Sequence, residues 1–404
     1  VHDAYRELDP GFAALYECFA REGGPPSGFT ERILPGDTAT RERIAPLLTK
    51  ISGPLALAAA EILKSVGDVA RMQRDERDEQ DEDSRALESV CLQLNQLAER
   101  LQGYAGVLDD FAGLGREDMV YWVEGRLFRE RQRLILHRSP LSVRGILTET
   151  LFAKCRGVCY TSATLAGASG SFAFFESRVG LDGIDRKLRR AWQLPTVFDY
   201  KSRVLLALPD GFPEKPDAEF PQQFAAFASG FVRASRGRVF FLFTSWKMLL
   251  ACHEATMALL PEEWQSTCLR QGDLDRHHLL ESFRTIPNAI LFGTSSFWEG
   301  VDVKGDRLVA VVIVRLPFQV PDDPMVRART IEIENEGRSA FFEYSLPHAV
   351  IRFRQGVGRL MRTKQDYGTI VVLDPRVKTK KYGQTFTRAL PETGRTEACG
   401  EALF

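Results

Sequence analysis

Arg238-Val-Phe-Phe-Leu-Phe243, followed at once by Thr244-Ser245-Trp246, is the stretch on which the fold turns. An apolar run this short, rich in Phe and closed by small polar residues, reads as a strand buried on both faces. Strands of that kind belong to parallel sheets with helices above and below. The same texture extends outward: apolar runs at Arg203–Ala207, Asn288–Phe292, Leu308–Arg315 and Gly368–Leu373 alternate with helical patterns near Gln222–Ser235, from Ser245 onward and around Leu346–Arg362. Five buried strands with crossover helices predict one doubly covered α/β domain over residues 196–404.

Upstream the pattern changes. Residues 1–118 are mainly helical, with Leu87, Val90, Cys91, Leu94, Leu97 and Leu101 at helical spacing. Arg71–Arg85, which contains Asp75-Glu-Arg-Asp-Glu-Gln-Asp-Glu-Asp83, is too charged for a core and reads as a solvated helix tip or a mobile loop between two helical runs. Residues 119–195 carry β-type runs at Val120–Val123, Arg133–His137 and Gly157–Thr161 around a helix near Val143–Ala153, expected to form parallel sheet; Ala166–Thr196 reads as a linker.

The chain has 404 residues, 44% of them hydrophobic and 26% charged, and 53 basic against 54 acidic side chains give a net charge of -1. A polyanion must therefore be met by local basic patches, not by an overall field. Seven irregularly spaced cysteines favour a reduced, cytoplasmic setting over a disulfide framework. Cys155 and Cys159 lack further ligands for a metal and read as buried strand-end residues. No apolar run approaches the roughly 20 residues of a membrane span, so no membrane partner is expected. The chain opens at Val1 without an initiator Met, which fits an excised or processed fragment.

Candidate chemistry sits in a second set of segments. Gln355-Gly-Val-Gly358-Arg359-Leu-Met-Arg362 places two arginines one helical turn apart behind a glutamine and a flexible glycine-rich lead, a pattern suited to a triphosphate. Alone it is weak, because basic helix faces are common. Strand-end segments add to it: Tyr160-Thr-Ser-Ala-Thr-Leu165, Leu242-Phe-Thr-Ser-Trp246 and Phe292-Gly-Thr-Ser-Ser-Phe-Trp-Glu-Gly-Val-Asp302. Thr161, Ser162, Thr244 and Ser245 suit phosphate contacts, and equally suit helix caps. Glu299-Gly300-Val-Asp302, taken alone, reads as a turn with a capping acid. Trp246 and Trp298 can stack on bases or fill core, with packing favoured for Trp298. His137, His277 and His278 have no ligand constellation, and Asp322-Asp323 reads as a turn opening a helix, not a nuclease centre. Neither a G-x-x-x-x-G-K-[ST] phosphate loop nor an Asp-Glu-x-His motif occurs, so the chain supplies the arginine half of an ATP site without the phosphate-cradling half.

Taken together, TSATL, FTSW, SSFWEGVDV, LPFQVPDDPMVRAR, FFEYSLPHAV and QGVGRLMRT resemble the XPD/DinG family of superfamily-two DNA helicases, its DinG-like bacterial branch in particular, from about Leu134 to Leu373. The resemblance implies a RecA-like parallel-sheet motor domain with helices on both faces over residues 196–404, the returning part of a first motor domain and a linker over 119–195, and an Arch-like helical segment over 1–118. It implies 5′ to 3′ movement on single-stranded DNA driven by ATP and Mg²⁺, of the DNA-repair type. Gln355, Arg359 and Arg362 would face the ATP phosphates. Glu299, Gly300, Asp302 and Gly358 would bind the nucleotide, the first, second and third of them coupling its state to DNA grip, and Thr161, Ser162, Thr244, Ser245, Trp246, Ser296 and Trp298 would lie along the DNA. The phosphate loop, and the iron–sulfur cluster of members that carry one, would belong to the first motor domain upstream, so this chain is expected to be inactive alone. The alternative is a catalytically inactive nucleic-acid-binding or regulatory module.

Overall fold

A computed structural model describes residues 10–11, 13–18, 29–33, 38–75, 82–128, 131–298 and 307–396. The chain clusters into two compact units, one running to Ser142 and including Asp322–Ala328, the other comprising Val143–Pro321 and the residues from Arg329 on. Residues 119–142 cluster with the helices that precede them.

The first unit contains β1 (Phe29–Ile33), α1 (Thr38–Asp75), α2 (Glu82–Gly113), β2 (Met119–Phe128) and β3 (Arg131–Pro140). Its sheet is antiparallel in the order β1-β2-β3, where parallel pairing was expected. The reason is spacing: β2 ends at Phe128 and β3 starts at Arg131, a gap only a hairpin can close, since a parallel return needs a dozen or more residues. Ile44, Leu48 and Ile51 of α1 and Leu108 and Phe111 of α2 bury against Tyr121 and Val123 of β2. Farther along, Ala59, Ile62 and Val66 meet Ala98, with Cys91, Leu94 and Leu101 packed around them. Leu87, Val90 and Leu97, from the same periodic set, point outward and are exposed. An 18-residue window within Thr38–Met72 averages a hydropathy of 1.3, so by length and composition α1 can span a bilayer, contrary to the sequence expectation. Its alanines raise that average without making a run of large apolar residues.

The second unit is built on seven parallel strands: β4 (Val204–Ala207), β5 (Val239–Leu242), β6 (Cys268–Arg270), β7 (Ile290–Gly293), β8 (Ala310–Ile313), β9 (Gly368–Val372) and β10 (Gly394–Thr396), in the order β10-β4-β9-β8-β5-β7-β6. Its helices include α3 (Ala173–Val179), α4 (Phe220–Ser235), α5 (Trp246–Leu259), α6 (Arg276–Thr285), α7 (Ser295–Trp298) and α9 (Leu346–Val357), while α8 (Pro324–Asn335) straddles the division between the units. Alternation along each strand divides the core. Phe240, Leu242, Leu291, Val311, Ile313, Ile370 and Val372 point to the face covered by α6, α7 and α9. Val239, Phe241, Phe243, Phe292, Val312 and Val371 point to the face covered by α4 and α5. The five strands expected from sequence, β4, β5, β7, β8 and β9, form the interior of this sheet. Its edges are β6 and β10, which sequence reading missed because they are too polar and too brief to give a periodic signal.

Gly157–Thr161 is not a strand. The stretch is irregular, and Cys155 and Cys159 are exposed free thiols, not buried strand-end residues. Asp323 caps α8 as expected, its Oδ1 accepting the amides of Met325 (2.9 Å) and Val326 (3.0 Å).

Candidate functional site

The carboxyl ends of β5 and β7 lie side by side because the two strands pair in register, Leu242 opposite Gly293. The Phe243 amide donates to the Gly293 carbonyl at 2.8 Å and extends that pairing past the strand ends. Thr244, Ser245 and Trp246 therefore sit beside Thr294 and α7, at the edge where α/β sheets place their ligands. Gln271, after β6, fixes the neighbouring loop: its Oε1 accepts both the amide (2.7 Å) and the hydroxyl (2.9 Å) of Thr294. Ser245 caps α5, its Oγ accepting the Met248 amide at 3.2 Å. Trp246 is 44% exposed, with its ring over Gly272, so one face is available to a base.

Trp298 does the opposite. At 2% exposure its indole N–H donates to the Phe243 carbonyl (3.2 Å) and its ring is enclosed, out of reach of any base. It is a packing residue, and α9 is packed on it. A Cβ at Gly356 would lie 2.7 Å from Trp298 Cε3 and 3.2 Å from Leu242 Cδ1, so only glycine lets α9 come this close. The glycine of the motif serves close approach, with helical backbone around it, and not the flexibility read from sequence.

Helix α9 ends at Val357, with Gly358 as its C-cap, so Arg359 and Arg362 are not successive turns of one helix. Arg359 reaches back over α7 and donates through Nε (3.2 Å) and Nη2 (3.0 Å) to the Trp298 carbonyl. Arg362 is placed by its backbone instead. Asp366, buried, accepts the amides of Arg362 and Thr363 at 2.7 Å each, and its other oxygen accepts the Thr363 hydroxyl at 2.7 Å. Gln355, one turn earlier, has a buried Oε1 with no hydrogen-bond donor among the described residues.

Thr161 and Ser162 are exposed, in a turn where the Thr164 amide donates to Ser162 Oγ at 3.2 Å. This loop is tied to α9 by Arg354, whose Nη1 and Nη2 donate to the carbonyls of Ala166 (2.5 Å) and Ala163 (2.9 Å). The loop also lines a cavity of about 800 Å³, together with Phe172, Phe175, Arg189–Leu194 and Arg354. The Ser296 side chain and Glu299, Gly300 and Asp302 lie outside the described residues.

Sequence reading missed Arg354, Gln271, Asp366 and the charge pair behind the strand ends. Asp374, fully buried after β9, holds Arg376 (Nη2, 2.6 Å) and the Leu316 amide (3.0 Å), which joins the ends of β8 and β9. Only Asp366 left a trace in sequence, a Thr363-x-x-Asp366 spacing of the kind that closes a turn on itself.

A helicase C-terminal domain model matches residues 229–393, from within α4 to just before β10. Among curated proteins, the chain is 35% identical over 314 residues to the Escherichia coli ATP-dependent DNA helicase YoaA, covering 77% of this chain and 46% of that protein. It is 34% identical over 309 residues to the Bacillus subtilis 3'-5' exonuclease DinG, covering 75% of this chain and 32% of that protein. This chain holds a C-terminal region of the XPD/DinG helicase family. It spans less than half the length of these relatives. A solved XPD helicase shares the fold at a TM-score of 0.50 and 13% identity, covering 87% of this chain and 67% of that one. The RecA-like α/β architecture of the XPD/DinG family thus accounts for the sheet. Of the segments that carry the sequence resemblance, TSATL lies on the Thr161–Ala166 loop, FTSW on the strand-end shelf and QGVGRLMRT at the end of α9.

Proposed function

We propose that this chain is the C-terminal portion of an ATP-dependent DNA helicase that moves 5′ to 3′ on single-stranded DNA. Residues 196–404 would be its second motor domain, 119–195 the returning part of the first, and 1–118 an Arch-like segment. The observation that carries the reading is the docking of α9 on the strand-end shelf, where Arg359 holds the Trp298 carbonyl and Gln355 keeps a buried acceptor without a donor among the described residues. A buried amide oxygen left unmet costs about 1–3 kcal/mol, so an arriving group that donates to it gains that much. ATP phosphates are acceptors, so only a water carried with ATP and Mg²⁺ would donate to Gln355, while the phosphates themselves would match the charge of Arg359 and Arg362.

When bound, the nucleotide would supply the phosphoryl chemistry. The chain's own part is to present fixed positive charge where the γ-phosphoryl leaves, Arg359 anchored through Trp298 and Arg362 through the Asp366 turn. Single-stranded DNA would cross the shelf at Thr244, Ser245 and Trp246 and the loop at Thr161 and Ser162, with the exposed Trp246 ring as a stacking platform. The first motor domain, and any iron–sulfur cluster, would be supplied by the rest of the polypeptide.

The test is DNA-stimulated ATP hydrolysis by this chain and by a polypeptide extended upstream. Hydrolysis only in the extended form, abolished by Arg362→Ala with DNA binding kept, is the expected outcome. Turnover by this chain alone, or unchanged turnover in the Arg362→Ala protein, overturns the assignment; DNA binding without turnover in either form identifies a binding or regulatory module instead.

A further inference from the structure

Arg354 is adjacent to Gln355 in sequence but takes no part in the phosphate site. Its side chain is half-buried, leaves α9, and spans to a segment almost two hundred residues earlier, donating from separate Nη atoms to the carbonyls of Ala163 and Ala166. These carbonyls bracket the turn after Thr161 and Ser162. One planar guanidinium holding two carbonyls of one loop fixes the loop's orientation as well as its distance, which a point cation cannot do. The connection continues on the other side. Tyr200, half-buried where the linker meets β4, feels both Arg354 and Arg362: burial raises its pKa and the two arginines pull it back. Burial likewise lowers the pKa of Arg354, and Tyr200 raises it. Arg354 thus joins α9 to the loop, while α9 itself is fastened to the shelf by Gly356 and Arg359.

We propose that Arg354 is a positioning residue that ties the Thr161–Ala166 loop to α9, so that nucleotide at α9 sets the DNA affinity of the loop. The inference rests on the helicase reading. It differs from a purely structural cap in predicting a loss of coupling where a cap predicts only a loss of stability.

Coupling is measured as the ratio of single-stranded DNA dissociation constants with and without a non-hydrolysable ATP analogue, on the extended polypeptide, by fluorescence anisotropy. The ratio is expected to fall at least fivefold in Arg354→Gln and less in Arg354→Lys, which keeps the charge and loses the fork. On this chain alone, Arg354→Gln should speed amide exchange at residues 163–167 with α9 protection unchanged. An undiminished ratio in a variant with wild-type melting temperature overturns the proposal. So does a Gln variant that melts early while the Lys variant, melting normally, keeps the full ratio. If the unmodified protein shows no nucleotide-dependent ratio, the helicase reading fails, and unchanged exchange at residues 163–167 then overturns the tie itself.

Discussion

At the scale of single residues, two positions carry measurable consequences. His348, on α9, is edge-on to Phe174 of α3 (5.1 Å) and Tyr344 (4.7 Å), with Arg178, Arg352 and Arg329 nearby. Burial first, then those arginines, lower its pKa to about 4. An unfolded histidine titrates near 6.5, so the unfolded chain takes up the proton first as pH falls. The stability tied to this residue is intact above about pH 6.5 and is lost between there and about pH 4, up to roughly 3 kcal/mol. His348→Phe should flatten that part of the melting-temperature profile relative to the parent; parallel profiles would show that the site relaxes and hydrates the imidazolium. Gly356→Ala drives a methyl into the Trp298 ring, which its bond to the Phe243 carbonyl prevents from swinging aside. We expect a loss of about 1–3 kcal/mol in denaturant unfolding, recovered in part when Trp298→Leu opens the space.

At the scale of elements, legibility followed burial. Phe240 and Phe241 face opposite cores, and a short Phe-rich run closed by small polar residues reads as a strand coated on both faces. Cys268–Arg270 and Gly394–Thr396 sit at the two sheet edges, where three residues leave no pattern to find. The antiparallel β2–β3 hairpin was misread because apolar content reports a strand and says nothing of its direction. The exposed state of Cys155 and Cys159 defeated the sequence argument for a similar reason: Gly157–Thr161 has the composition of a buried strand, but no described strand pairs with it. In the candidate site, the residue types were legible and their arrangement was not. Arg359 and Arg362 look equivalent on a helical wheel, yet one is held by a side-chain bond to Trp298 and the other by a backbone turn on Asp366, because α9 stops between Gln355 and the first arginine. Arg354 was invisible, since its partners are carbonyls far away in sequence.

At the scale of the molecule, the charge balance and the two-unit division place the weight of any anion binding on local geometry, which is where the shelf, the loop and α9 converge in the second unit. The strand order has a consequence for how the chain is made. β9, second to last in chain order among the strands of its sheet, lies between β4, the first of them, and β8. Until residues 368–372 leave the ribosome, β4 has no partner on the β8 side, and both strands present bare hydrogen-bonding edges flanked by large apolar side chains. The second unit therefore cannot mature strand by strand behind the ribosome; it must wait, unzipped in the middle, for its own tail. A chain stopped at Gln365 should be recovered as aggregate and one reaching Thr396 as soluble protein, and a nascent chain arrested between those points should need a holding chaperone that the finished protein does not.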